Sequence, residues 1–145
     1  MRRWYVPVAL VLFALLLASC GGGYVTTGTS TRAGREGSGG FVIVSARSAN
    51  GTTLKDLAVD DESLDNALDE GVLVEVEADL KVGAGSVKIE FLGEGDVVTS
   101  TLEARDGESV TGRGQMVTDV FGDARYRITA TEAKDLEYAI YYVIQ

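Results

Sequence analysis

The sequence predicts a mainly β protein, an antiparallel β-sandwich of about seven strands with one short helix. Three observations predict it. Val72, Val74, Val76, Ala78, Leu80 and Val82 alternate with Leu73, Glu75, Glu77, Asp79 and Lys81, the period of a strand with one buried face. Other runs rich in β-branched residues are short and are separated by glycine-containing breaks every ~8–12 residues. No alternation of strands with long helical patterns points to a parallel sheet.

Taken in order, residues 41–46 (Phe-Val-Ile-Val-Ser-Ala) suit a buried strand. Residues 53–70 are the exception to the β pattern. Leu54, Leu57, Ala58, Leu64, Ala67 and Leu68 fall partly at helical spacing, Asp60 to Glu62 place acids near a helix N-terminus, and Gly71 offers a stop. A short helix over residues 62–70 follows, covering one open end of the sheets. The alternating run 72–82, the turn Gly83-Ala84-Gly85 and Val87, Ile89 and Phe91 read as an antiparallel hairpin. After the break Gly93-Glu94-Gly95, residues 97–104 meet Asp106-Gly107, a strong hairpin signal because both residues tolerate positive φ. The return run, 109–117, contains Gly112 and Gly114 and is expected to be bulged or at an edge. Tyr126, Ile128 and Ala130 form another strand, and Leu136, Tyr138, Ile140, Tyr142 and Ile144 the last.

The N-terminus is organised differently. Arg2 and Arg3 precede an uncharged, mostly apolar run over residues 4–18, shorter than the ~20 residues a helix needs to cross a bilayer. Leu17-Ala18-Ser19-Cys20 follows, an aliphatic residue and two small ones before the cysteine. This segment resembles the lipobox of bacterial lipoprotein precursors. The resemblance implies cleavage before Cys20 and a diacylglycerol on its sulfur, so that residues 1–19 are a signal peptide and Cys20 is the lipidation site. Two or more acyl chains anchor stably where one binds only reversibly. Residues 21–40 contain 8 glycines, 4 threonines and 2 serines, and so little apolar surface predicts a flexible tether spanning roughly 25 Å. A single β-sandwich domain is expected over 41–145.

From Gly71 onward the strand order is similar to small jelly-roll or immunoglobulin-like sandwiches of exported prokaryotic proteins, including pre-peptidase C-terminal and carbohydrate-binding modules. The residues that carry it are Gly85-Ser86-Val87-Lys88-Ile89, a glycine-aspartate turn, and Gly122-Asp123-Ala124-Arg125-Tyr126-Arg127-Ile128. The resemblance implies a fold and no activity, since beyond Trp4 there is no tryptophan and no calcium-loop signature.

Composition narrows the function. The chain carries 13 basic and 22 acidic residues, a net charge of −9, and without Arg2 and Arg3 the remainder is near −11. That field repels phosphate backbones and anionic headgroups, so nucleic acid is not an expected partner and a membrane must be met through lipid on Cys20. With no histidine and one cysteine, the commonest general base and metal ligand are missing and no intramolecular disulfide can form.

Candidate sites are few. Asp56, Asp60, Asp61, Glu62, Asp65, Asp69 and Glu70 form an acidic run, but their spacing does not reproduce a calcium loop, and a solvated face explains them. Glu94/Asp96, Asp106/Glu108 and Asp119/Asp123 fall in turns that favour acids for conformational reasons. No catalytic residue and no cofactor are expected, and the protein is read as a non-enzyme. Tyr138, Tyr141 and Tyr142 crowd the last strand, with Tyr141 on the opposite face from the other two. Tyr141 is therefore either an exposed contact for a sugar or protein partner, or a residue of a strand buried on both faces; two-sided burial is favoured. The leading expectation is a lipid-anchored cell-envelope protein that binds another envelope protein or serves a structural role. The alternative is a ligand-binding module for carbohydrate or calcium. It would face the periplasm or exterior, and Gly21 after the cysteine fits an outer-membrane address if the organism has one.

Overall fold

The computed structural model describes residues 23–57 and 68–145. Among them run eight strands: β1 (Val25–Thr27), β2 (Ser30–Glu36), β3 (Gly39–Leu57), β4 (Leu73–Lys81), β5 (Ala84–Leu92), β6 (Val98–Arg105), β7 (Ser109–Val117) and β8 (Ala124–Ile144). All strand pairs are antiparallel, and the fold class is the one expected, a mainly β antiparallel sandwich.

Its two layers share two long strands. The first half of β3 (39–49) pairs with the second half of β8, beside β4 and then β7, with β2 on the opposite edge. The second half of β3 (51–57) pairs with the first half of β8, beside β5 and then β6. The two strands change sheet at the same level. There β3 has a register shift between Ala49 and Gly51, and Glu132 and Asp135 of β8 adopt positive φ. Bulges of this kind bend a strand and let it leave one sheet for the other.

The inward residues of the first sheet include Val42, Val74, Val76, Leu80, Met116, Leu136, Tyr138 and Ile140. They meet Val87, Ile89, Phe91, Leu102, Tyr126 and Ile128 of the second. Each such aliphatic or phenylalanine side chain contributes about 1.5–3 kcal/mol when fully buried. β7 is an edge strand in continuous register with β4. Its Gly112 and Gly114 face inward, where the side chains of Leu102 and Phe91 occupy the space that side chains there would need.

Several expectations are corrected. Residues 21–40 are not simply a tether: Val25–Thr27 and Ser30–Glu36 are strands on β3, so the folded domain extends back well before residue 41. Short polar strands are stabilised by pairing with a long neighbour, which composition does not reveal. Gly37, at φ 60°, and Ser38 close β2 and β3 into a two-residue hairpin with glycine at its first central position. β4 and β5 do not form a hairpin; β4 pairs with β7 and β8, and β5 with β6 and β8. Likewise β6 and β7, on either side of Asp106-Gly107, belong to different sheets. An arch between facing sheets needs the same alternation and turn residues as a hairpin, so pattern alone does not separate them. The runs 126–130 and 136–144 are one bent strand. Residues 53–57, expected to open a partly helical segment, belong to β3, and Leu68 to Glu70 are not helical. The rest of the expected helix lies outside the described residues, as do the signal and Cys20. Among the described residues the helical structure is a 3₁₀ turn over Glu94–Asp96.

Candidate functional site

The two outer faces of the sandwich differ in chemistry. On the second sheet, Arg127 and Lys88 flank Glu90 at 3.3 and 3.2 Å, and Arg105 meets Glu103 at 2.6 Å. Several polar side chains on that face pair with one another, and Leu54 is an exposed apolar residue among them. On the first sheet an apolar strip crosses the middle strands. Phe41 lies opposite Tyr141, and Ile43 opposite Ala139, with Val143 next along β8. Tyr141 is 45% exposed and Val143 46%, whereas Tyr138 and Tyr142 on the inner face are 2% exposed. Tyr141 is thus on the opposite face from its neighbours, as alternation requires, and the favoured two-sided burial is overturned. Among the described residues no layer covers this face.

Tyr141 is also paired with Glu77 of β4, so the strip borders a column of acids, Glu75, Glu77 and Asp79. Arg113 Nε on β7 donates to Glu77 Oε2 at 2.9 Å, and Thr111 Oγ1 donates to Asp79 Oδ1 at 2.6 Å. A shallow groove of about 380 Å³ runs beside the ring, lined by Glu75, Glu77, Arg113, Tyr141 and Val143 among others. An aromatic plate next to carboxylates and a guanidinium can stack on an apolar or sugar surface and hydrogen-bond its edge. Among the described residues the groove's lining contains no serine, threonine, cysteine, histidine or lysine.

Of the turn acids singled out in the sequence, Asp96, Asp106, Glu108 and Asp119 have structural partners. Asp106 Oδ1 accepts the Gly85 amide at 2.9 Å, and Glu108 Oε2 the Arg105 amide at 2.8 Å. Asp119 Oδ1 accepts the amides of Phe121 and Asp123, and Arg125 bridges Asp119 to Asp96. The Asp123 amide contributes most to holding the Asp119 carboxyl below its ordinary pKa; desolvation opposes it, and Phe121 and Arg125 add to the lowering. Of the acidic run, Asp56, Asp69 and Glu70 are described and the others are not. Among the described residues no group of three or more acids, histidines or cysteines is placed to hold a metal.

Two further features lacked a sequence signal. A cavity of about 820 Å³ opens where β3 and β8 change sheet; its Asn50 Oδ1 accepts the Glu132 amide at 3.1 Å. Asp106, also in its lining, accepts the Gly85 amide at 2.9 Å, so the Asn50 and Asp106 side chains both fix backbone there. At the loop end joined by Arg125, Val97, Val120 and Phe121 are exposed, Phe121 to 75%. Adjacent Val120 and Phe121 were visible in the sequence, but nothing in the pattern distinguishes an exposed loop pair from the start of a strand.

The arrangement defines a class, a small jelly-roll-like β-sandwich with an open aromatic face. No protein-family model matches the chain, and no curated protein matches it. Among solved structures it is similar to a carbohydrate-binding module from Cellvibrio mixtus lichenase 5A in complex with cellotriose. That match has 13% identity over 83% of this chain and 89% of the other, with a TM-score of 0.40. It is also similar to Bacillus endospore appendages, described as disulfide-linked pili, with 17% identity over 88% and 97% and a TM-score of 0.39. The xylan-binding CBM22-1 domain of Paenibacillus barcinonensis Xyn10C gives 12% identity over 84% and 85%, also at 0.39. At these identities and TM-scores the likeness says nothing of what this chain binds or does.

Proposed function

We propose that this is a non-enzymatic cell-envelope lipoprotein, held to a membrane by lipid on Cys20, whose sandwich binds another envelope protein through the open face of its first sheet. The observation that carries the reading is the half-exposed Tyr141 in the apolar strip Phe41, Ile43, Ala139 and Val143. An aromatic anchor within apolar surface is the usual make-up of a binding hot spot. The acids along β4 and the overall negative charge favour a partner whose apolar surface is rimmed by basic side chains.

The test is a photo-crosslinking residue at position 141 in the full chain expressed in a bacterial host, beside the same residue at Thr101 on the other sheet. A protein adduct specific to position 141, weakened by Glu75→Lys, supports the reading. Equal labelling from both positions, or none, overturns it. Intact mass and membrane fractionation beside Cys20→Ala test the anchor separately: loss of residues 1–19 with an acyl mass that vanishes in the variant is expected.

The groove beside Tyr141 favours one second reading, a carbohydrate ligand. It predicts calorimetric heats with soluble oligosaccharides that disappear in Tyr141→Ala.

A further inference from the structure

β2 is the last strand on its side of the first sheet among the described residues, and its outer edge is free there. The two-residue turn makes Glu36–Gly39 a hydrogen-bonded pair, so by alternation Gly34 and Arg32 also bond to β3, while Arg35, Ala33 and Thr31 direct their backbone groups to the free edge. Neither Arg32 nor Glu36 has an ion-pair partner among the described residues. Both side chains lie on the same face of the sheet as Phe41, four residues apart with Gly34 midway. The Phe41 ring covers Gly34 so closely that a Cβ there would lie 2.8 Å from Cε1.

The geometry points to a second copy of this chain as the occupant of that edge, β2 pairing antiparallel with its counterpart about a two-fold axis at Gly34. Ala33 and Arg35 of opposite copies then exchange backbone hydrogen bonds. Arg32 falls opposite Glu36 of the other copy, twice, in the non-hydrogen-bonded pairs where side chains approach most closely. The glycines meet on the axis, and the absence of side chains there leaves room for the two Phe41 rings to come together above them. The strand is thus self-complementary in charge, shape and hydrogen bonding, as an isologous interface requires. The joined sheets set two Tyr141 faces side by side.

Charge reversal in the full chain, extracted in mild detergent and weighed by native mass spectrometry from micromolar to hundred-micromolar concentration, tests the register. Wild type is expected to dimerise, Arg32→Glu and Glu36→Arg each to weaken the dimer roughly tenfold or more, and the double variant to recover most of the loss. Melting curves check that each variant is folded. Arg32→Cys with Glu36→Cys is expected to form disulfides between copies, because the paired Cα atoms lie within disulfide range, and Arg32→Cys alone is not. A monomeric wild type, a dimer indifferent to reversal, or a double variant no better than the singles overturns the proposal.

Discussion

Tyr126 and Tyr138 lie on the two halves of one strand, yet their rings meet edge to face in the core, centroids 6.2 Å apart, with hydroxyls 3.3 Å from each other. β8 changes sheet between them, so this pair clasps the two layers at the bend. Tyr138→Phe is expected to cost about 1 kcal/mol through the lost hydrogen bond, and Tyr138→Ala about 3–5 kcal/mol through the cavity, both read from urea unfolding.

The same pair sets an alkaline limit. Burial pushes both phenols above their ordinary value, most strongly Tyr138. The raised folded-state pKa means that their contribution is complete below the unfolded value of about 10 and is lost as pH rises above it, since only the unfolded chain releases the protons. Unfolding free energies between pH 8 and 11 should fall more steeply in wild type than in Tyr138→Phe.

Acid acts on other residues. Asp119 is held low as described, and for Glu90 desolvation is outweighed by hydrogen bonds and charge from Lys88 and Arg127, so its pKa is also lowered. Depressed carboxylates contribute stability above their unfolded pKa of about 4, and lose it as pH falls through the folded value. The melting temperature is expected to hold near neutrality and drop below about pH 5. Asp119→Asn should lie below wild type at pH 7, with the gap narrowing as pH falls below about 4.

Close packing of β7 gives a coupled prediction. A Cβ on Gly114 would collide with Ser100 Oγ and lie 2.9 Å from Phe91 Cδ2, and Ser100 Oγ is itself buried without a partner among the described residues. Gly114→Ala is expected to cost about 1–3 kcal/mol, while Ser100→Ala is neutral or stabilising because it removes an unsatisfied hydroxyl. The double variant should be less destabilised than the sum by at least about 0.5 kcal/mol, measured as a double-mutant cycle.

Thr118, 1% exposed, fastens the chain entering β4. Its Oγ1 donates to the Asp69 carbonyl at 2.6 Å and accepts the Val72 amide at 2.8 Å. Thr118→Val leaves both backbone groups without that partner and is expected to cost about 1–3 kcal/mol, whereas Thr118→Ser should retain most of the stability.

The amino-acid sequence by itself determined the fold class, the existence and inward face of β4 and β5, and the split of Tyr138 and Tyr142 from Tyr141, because side-chain alternation along a strand is local geometry. It also supplied the lipobox resemblance on which the anchor reading rests. Tertiary structure decided which strands pair. Val72–Val82 and Val87–Phe91 satisfy a hairpin and an arch equally, and only competition for the long central strand β8 separates them. It likewise recruited Ser30–Glu36 into a sheet that their polar side chains do not announce, through backbone bonds to β3. Exposure of Tyr141 was another such decision: a residue facing outward becomes buried or open according to whether another layer covers the sheet, and that depends on the path of the whole chain.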